Sequence, residues 1–183
     1  MKYLVSITGA SGSIYGIRLL EELKKTKHEI HLIISNGGKK ILEHETGYSA
    51  KNLQKLADTY YDNNDLAAGP ASGSFHLDGM IIVPCSMKTL SAIAQGYSTT
   101  LTARAASCCL KEGRKLVLVI RETPLDLPGL RNMVAAREAG AVILPAMPAF
   151  YQKPETIDDL VNFIVGKILD QLSIRHTLFR RWE

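Results

Sequence analysis

The chain has 183 residues, of which 46% are hydrophobic and 22% are charged, and its formal net charge is +4. This length predicts one domain with a full core, and the composition is that of a soluble globular protein. The densest basic piece is a short tail with Arg175, Arg180 and Arg181. Such a charge distribution argues against a nucleic-acid surface and suits a site for small anions.

Cysteine spacing and apolar run lengths predict a cytoplasmic protein. Cys85, Cys108 and Cys109 lack the spacing of metal ligands, so we interpret them as buried or reduced thiols. The glycines between Gly9 and Gly16 break the first apolar run before a signal peptide could form. No stretch approaches the roughly 20 apolar residues of a membrane span.

Short β-branched apolar runs alternate with helical patterns along the chain. The predicted strands are Lys2 to Thr8, Glu29 to Ser35, Gly79 to Ser86, Arg114 to Glu122 and Ala141 to Pro145. The predicted helices are Ser13 to Lys25, Lys39 to Glu45, Met87 to Ala94, Leu101 to Lys111, Leu130 to Glu138 and Thr156 to Leu172. Residues 47–76 are less regular and include the loop AAGPASGSF. This order predicts an α/β fold, a doubly wound parallel sheet of Rossmann or flavodoxin-like type with three layers.

The residues that follow the predicted strands have a common character. In doubly wound sheets, ligands bind in the crevice at the carboxyl ends of the strands. Four of the five ends are rich in small or hydroxylic residues, which let backbone approach a ligand and supply donors for phosphate. The ends begin at Thr8, Ser35, Pro84, Arg121 and Pro145.

The glycine run ITGASGSIYG points to a particular kind of phosphate ligand. It lacks the Gly-Lys-Ser/Thr of a Walker loop and the G-x-G-x-x-G spacing of a dinucleotide site. The second strand ends in Ser35, where an NAD site would place an acidic residue for the ribose. The pattern favours a mononucleotide such as FMN. The alternative is a glycine turn that only packs helix against strand.

Basic residues near these ends form a second group of candidates. Arg121 directly follows a strand and could clamp a phosphate, and Glu122 beside it could act as an acid or base. The alternative for both is a structural ion pair. Arg104 and Lys111 share a helix face, which is also typical of a solvated surface.

Two further candidates lie near the C-terminus. Lys167 is a cation within the apolar stretch NFIVGKIL, where the alternative is a lysine that reaches the helix surface. Tyr151 follows the last strand and could bind a ligand oxygen, or simply pack on the core. Asp158 and Asp159 lack the D-D-x-x-D pattern of a magnesium site, and no metal site is predicted.

Taken together, TGASGSIYG, PASGSF, GMIIVPCSMKTL, LTARAASCCLKEGRKLVLVIRETPL and LPAMPAFYQKPETIDDLV resemble the UbiX-type flavin prenyltransferases over nearly the whole chain. The resemblance implies a metal-independent transfer of a dimethylallyl group from dimethylallyl monophosphate to N5 and C6 of reduced FMN. It implies that the prenylated FMN serves a UbiD-type decarboxylase. It also implies a single flavoprotein domain over residues 1–183 and a dodecamer with active sites near subunit interfaces, where the helix and tail from about residue 156 would lie.

The resemblance also assigns roles to residues of this sequence. The proton-transfer carboxylate is Glu122, with Ser11 assisting it. The FMN ligands would be Gly9, Ala10, Ser11, Ser35, Ser86, Met87, Lys88, Thr89 and Arg121. The prenyl-phosphate residues would be Arg104, Lys111, Arg121, Tyr151 and Lys167, with Ser72 near the prenyl group. Cations and donors suit this task because they stabilise the charge of a departing phosphate.

The chain departs from the family pattern at a few places. DLPGLRNM puts Gly129 where a histidine is usual, and Lys167 stands where many members have arginine. Two other functions stay open: an FMN-dependent decarboxylase of aromatic or cysteine-derived acids, and a non-catalytic FMN-binding subunit. The cysteine-acid decarboxylases use a histidine early in the chain, whereas His28 and His31 here have a context typical of surface or core residues.

Overall fold

The computed structural model describes residues 1–182. Its strands are β1 (Lys2–Ile7), β2 (Glu29–Ile34), β3 (Thr59–Asp62), β4 (Gly79–Cys85), β5 (Lys115–Ile120) and β6 (Val142–Ile143). Its α-helices are α1 (Ser13–Lys24), α2 (Asn36–Thr46), α3 (Ala50–Gln54), α4 (Met87–Ala94), α5 (Leu101–Lys111), α6 (Leu127–Glu138) and α7 (Ile157–Gln171). A 3-10 turn at Gly69–Ala71 lies in the loop before β4.

The strands form one parallel sheet in the order β3-β2-β1-β4-β5-β6. The chain runs outward from β1 to β3 and then returns to the other side of β1 as β4. The strand order therefore reverses between β1 and β4, and this is where doubly wound sheets open a ligand crevice. The predicted α/β fold is confirmed.

Helices cover both faces of the sheet. Val5 and Ile7 of β1 belong to a core shared with α1 and α7, whereas Leu4 belongs to a second core shared with α4 and α5. This alternation follows from the two-residue period of a strand. Each fully buried leucine or isoleucine stabilises the fold by about 1.5–3 kcal/mol, so the two cores hold the strand ends firmly.

The prediction of five strands was wrong by one. β3 has only four residues and lies at the sheet edge. It falls within residues 47–76, whose sequence is less regular than the rest. Two helices begin earlier than predicted. Helix α2 starts directly after Ser35 although its first turn contains Gly37 and Gly38, and α6 starts after Asp126, which accepts a hydrogen bond from the Gly129 N–H (2.8 Å). Glycines are typical of loops, but Gly37, Gly38 and Gly129 lie within helices here because neighbouring atoms leave little room for a Cβ.

The three cysteines are free and buried, as predicted. Burial raises the pKa of the Cys85 thiol, and it raises that of Cys109 to about 12. Thiols of this kind are poor nucleophiles. Over residues 1–182, no helix has both the length and the apolar character needed to cross a membrane.

Candidate active site

The candidate site begins where β1 and β4 end side by side. Thr8 donates its hydroxyl to the Pro84 carbonyl (2.7 Å) and accepts the Ser86 backbone N–H (2.8 Å). The Ser35 N–H donates to the Ile7 carbonyl (3.0 Å). These bonds tie three strand ends together at the edge where the strand order reverses.

Ser35 and Ser86 cap the two helices that leave this edge. Ser35 accepts a backbone N–H of the first turn of α2 (3.0 Å). Ser86 accepts the Thr89 N–H (3.3 Å) and lies 3.0 Å from the Thr89 hydroxyl. Met87 and the exposed Lys88 occupy the first turn of α4. The predicted FMN ligands in these segments therefore lie at two helix N-termini, which attract anions.

Glycines bring the loop after β1 against the start of α2. A Cβ on Gly9 would lie 3.2 Å from the Gly37 Cα, and a Cβ on Gly38 would lie 2.5 Å from the Ile7 carbonyl oxygen. Gly9 is exposed and Ala10 is buried. The edge is therefore lined by backbone, which a ligand can approach more closely than it could approach side chains.

Two buried polar atoms at this edge find no hydrogen-bond partner among the described residues. They are the Nε of Arg121, directly after β5, and the hydroxyl oxygen of Ser13, in the first turn of α1. A buried donor without a partner costs free energy unless a ligand satisfies it. Phosphate oxygens are suitable acceptors, so Arg121 and the two helix N-termini fit the phosphate of FMN, whereas Ser13 lies at the α1 N-terminus.

Glu122 follows Arg121 and is exposed at the same edge. Its Oε1 accepts the Thr123 N–H (3.1 Å). Since this bond leaves the other carboxylate oxygen free, Glu122 can accept a proton from a group bound beside it.

Glu45 also lies at this edge and was not predicted from the sequence as a site residue. Its Oε2 accepts the backbone N–H groups of Gly12 (2.9 Å) and Ser13 (3.0 Å), so a carboxylate occupies the N-terminus of α1. Partial burial raises the pKa of Glu45, but hydrogen bonds from Ser11, Ser13 and Gly12 and the Arg121 charge outweigh it and hold the pKa below the usual 4.5. One signal was available: Glu45 lies in the last turn of α2, where its own helix dipole disfavours an acid.

Replacing Glu45 with glutamine should destabilise the protein by about 0.3–1 kcal/mol at pH 7, the usual range for an exposed acid at a helix N-terminus. Because the folded-state pKa is lowered, this stabilisation is present above the unfolded pKa and is lost as the pH falls through the folded value. Urea unfolding of both proteins between pH 7 and pH 3 measures the difference. Glu43→Gln, an exposed acid on the same helix, is the control, and a Glu45→Gln effect independent of pH would contradict the assignment.

Three predicted prenyl-phosphate residues lie together around the 3-10 turn. The Arg104 Nε donates to the Ala71 carbonyl (2.9 Å). A Cβ on Gly73 would lie 2.9 Å from the Lys111 Nζ, and Ser72 shares a 2.8 Å hydrogen bond with Ser74. Helix α5 thus presents Arg104 and Lys111 to the loop that carries Ser72. Within residues 1–182, no hydrogen bond or ion pair joins these three side chains to the strand-end crevice.

The remaining two predicted residues lie at a separate place. The Tyr151 ring packs edge-on against Phe163 and Trp182, with centroid distances of 6.0 and 5.3 Å. The Lys167 Nζ lies 3.7 Å from a carboxylate oxygen of Asp170. Over residues 1–182, no hydrogen bond, ion pair or ring contact joins Tyr151 or Lys167 to the strand-end crevice.

No group of three or more His, Cys, Asp or Glu side chains in the described part of the chain is placed to hold a metal ion. The side chains at the crevice are instead hydroxyls, a guanidinium and two carboxylates. This donor set can bind a phosphate monoester and exchange protons with a neighbouring group.

The chain is similar to known proteins over nearly its whole length. A family model described as Flavoprotein matches residues 1–169. A flavin prenyltransferase UbiX from Thauera aromatica is 52% identical over 182 residues, covering 100% of this chain and 94% of the relative. A crystal structure of AnUbiX (PadA1) with FMN and dimethylallyl pyrophosphate has a TM-score of 0.98 and 46% identity, covering 100% of this chain and 97% of that one.

A dodecameric FMN-dependent UbiX-like decarboxylase from Escherichia coli O157:H7 also has a TM-score of 0.98, with 48% identity and complete coverage of both chains. The fold and the matching family model define the chain as a flavoprotein. Its identity to these relatives over the full length is more specific: the chain belongs to the UbiX flavin prenyltransferase family. The predicted family, enzyme class and cofactor are confirmed.

Proposed function

We propose that this enzyme transfers a dimethylallyl group from dimethylallyl monophosphate to N5 and C6 of reduced FMN without a metal. The observation that carries the proposal is the placement of the unpartnered Arg121 Nε beside the exposed Glu122 carboxylate, at an edge with two capped helix N-termini. A phosphate site and a base thus adjoin one crevice. The AnUbiX structure holds a dimethylallyl ester together with FMN.

The strand-end residues bind FMN in this proposal. Reduced FMN supplies two nucleophilic positions, N5 and C6, to the reaction. Ser35 and the segment from Ser86 to Thr89 donate to its phosphate, and Arg121 adds a charge-assisted hydrogen bond. The backbone around Gly9, Ala10 and Ser11 lines the flavin.

The basic residues accept the departing phosphate. As the bond between the prenyl carbon and the phosphate oxygen breaks, both bonding electrons leave with the phosphate. Cations preorganised around that oxygen lower the barrier. Lys111 and Arg104, with Ser72 beside them, supply part of this charge, and Lys167 and the Tyr151 hydroxyl supply the rest.

Carboxylates accept and donate the protons of the reaction. Bond formation at N5 would release one proton, which Glu122 can accept through its free oxygen. Ring closure at C6 would break the prenyl C=C π bond, adding a proton to the prenyl group and removing one from C6, so Glu122 can return a proton and take up another. Ser11 lies beside Glu45, whose carboxylate accepts the Gly12 and Ser13 backbone N–H groups, and the two residues provide a second route for a proton at the same edge. General acid–base catalysis of this kind contributes about 10²–10⁴-fold to a rate.

The surroundings of the enzyme are part of the proposal. We infer that it assembles as a dodecamer in the cytoplasm, with the helix and tail from residue 156 at an interface, and passes prenylated FMN to a UbiD-type decarboxylase. Ile157 and Trp182 support the interface because they expose 72% and 79% of their surface in the single chain. A neighbouring copy would bring Tyr151 and Lys167 to the crevice.

Anaerobic incubation with reduced FMN and dimethylallyl monophosphate, in a chelator that removes magnesium, tests the activity. Mass spectrometry of the released flavin should show the gain of one prenyl unit. Unmodified flavin from protein that still binds FMN would contradict the proposal and favour a flavin carrier or a decarboxylase. Parallel incubation with dimethylallyl pyrophosphate measures the preference between the two donors.

A further inference from the structure

The chain that follows α7 folds back over that helix. The Ile174 N–H donates to the Leu169 carbonyl (3.0 Å), which reverses the direction of the chain. The Phe179 ring then packs on His176 and Phe163, each with a centroid distance of 5.1 Å. Residues 173–182, which we call the tail, therefore pack along the outer side of α7.

A glycine in α7 makes room for the tail. Gly166 is buried in the middle of the helix, where glycine is unfavourable for helix formation. A Cβ at this position would lie 2.5 Å from the Phe179 ring and 2.7 Å from the His176 ring. The sequence of α7 is thus adapted to the docked tail.

Asp170 holds the tail by two hydrogen bonds. Its Oδ1 accepts the Arg181 guanidinium (2.7 Å) and the His176 Nε2 (3.2 Å). The His176 Nδ1 accepts the Leu178 N–H (3.2 Å), so a neutral His176 carries its proton on Nε2 and donates to Asp170. The His176 side chain is buried, and both of its nitrogens are used in fixing the tail.

Lys167 and Tyr151, two of the predicted prenyl-phosphate residues, lie beside this tail and Asp170. The Asp170 Oδ2 lies 3.7 Å from the Lys167 Nζ, which is too long for a hydrogen bond and leaves the ammonium donors available to a ligand. Trp182, at the end of the tail, packs edge-on against Tyr151. The Gln152 side chain donates to the Arg180 carbonyl (2.6 Å) and ties the Tyr151 segment to the tail.

We propose that Asp170 is a positioning residue: by docking the tail on α7, it holds Lys167 and Tyr151 in the geometry that binds the phosphate of the prenyl donor. The inference rests on the proposed function for the identity of that donor. Asp170 itself does not touch the donor.

Two variants test this from different directions. Asp170→Asn removes the charge that binds the tail, whereas Gly166→Ala places a methyl group against Phe179 while favouring the helix. Both should release the tail. Asp158→Asn, which removes a carboxylate from the exposed first turn of the same helix, is the control.

The readouts separate tail docking from donor binding. Trp182 is the single tryptophan of the chain, so its time-resolved fluorescence anisotropy reports tail motion, provided that size-exclusion chromatography shows the same oligomeric state for every variant. Calorimetry with protein loaded with oxidised FMN measures the Kd of dimethylallyl monophosphate without turnover. Both test variants should show faster local Trp182 motion and a Kd about tenfold higher, the effect of one lost hydrogen bond to a charged group. FMN affinity should be unchanged.

Three outcomes would overturn the inference. They are unchanged Trp182 motion in both variants, a released tail with an unchanged donor Kd, and no donor binding by the natural chain. A natural chain that binds the donor as proposed yet yields no prenylated flavin would refute the proposed activity instead, and the inference about Asp170 would still be decided by the anisotropy and the Kd.

Discussion

Glu122→Gln is expected to lower the rate of flavin prenylation by about 10²–10⁴-fold, the usual contribution of a positioned acid or base. Glutamine keeps the size of the side chain and an oxygen for the Thr123 N–H, but it cannot take up a proton at pH 7. Single-turnover reactions of reduced FMN with dimethylallyl monophosphate, stopped and analysed by mass spectrometry, measure the rate.

The matched control is Glu138→Gln, which removes an exposed carboxylate at the end of α6. It should react at the normal rate. FMN affinity should be the same in both variants, since Glu122 is assigned to proton transfer and not to flavin binding. A normal rate in Glu122→Gln would transfer the proton role to the pair of Ser11 and Glu45.

Arg121→Met is expected to weaken FMN binding by about 10- to 100-fold, because a hydrogen bond to a charged group contributes about 1.5–3 kcal/mol. The guanidinium Nε is buried and has no hydrogen-bond partner among residues 1–182. The substitution therefore breaks no hydrogen bond of this atom in the FMN-free protein. Titration followed by flavin fluorescence gives the Kd.

Arg121→Lys should recover only part of the affinity, since lysine keeps the charge but lacks the planar fork that matches phosphate. Arg175→Met, an exposed arginine in the tail, should bind FMN normally. Equal Kd values for Arg121→Met and the natural chain would remove Arg121 from the FMN site. Thermal unfolding of FMN-free proteins verifies that the variants are folded.

The sheet could be predicted largely because its central strands are continuous buried runs. β4 is buried along its whole length, and such a run between helical patterns has few other interpretations. β3 was not predicted because TYYD is short, partly exposed and ends in an aspartate. Only its pairing with β2 identifies it as a strand. The early start of α2 was not predicted because Gly37 and Gly38 are typical of a turn until their contacts with the end of β1 and the loop after it are known.

The crevice residues could be predicted because they follow strands, and parallel strands end at one edge. Ser35, Ser86 and Arg121 were found in this way, and the structure places them at that edge. Glu45 could not be found by this reasoning, since its partner Gly12 is 33 residues away and only the packing of α1 against α2 joins them. The contacts of Asp170 with His176 and Arg181 likewise depend on a reversal of the chain after α7, which no local sequence pattern predicts.

The carboxylate of Glu45 also bears on which nucleotides this protein can accept. Many doubly wound proteins use the N-terminus of their first helix to bind the diphosphate bridge of NAD or FAD. In this chain that position already holds an acidic side chain with two backbone hydrogen bonds. A diphosphate there would meet like charge, whereas a ligand with one terminal phosphate can use α2 and α4 instead. We therefore expect the protein to bind a mononucleotide in preference to a dinucleotide, through a residue that need not touch the flavin.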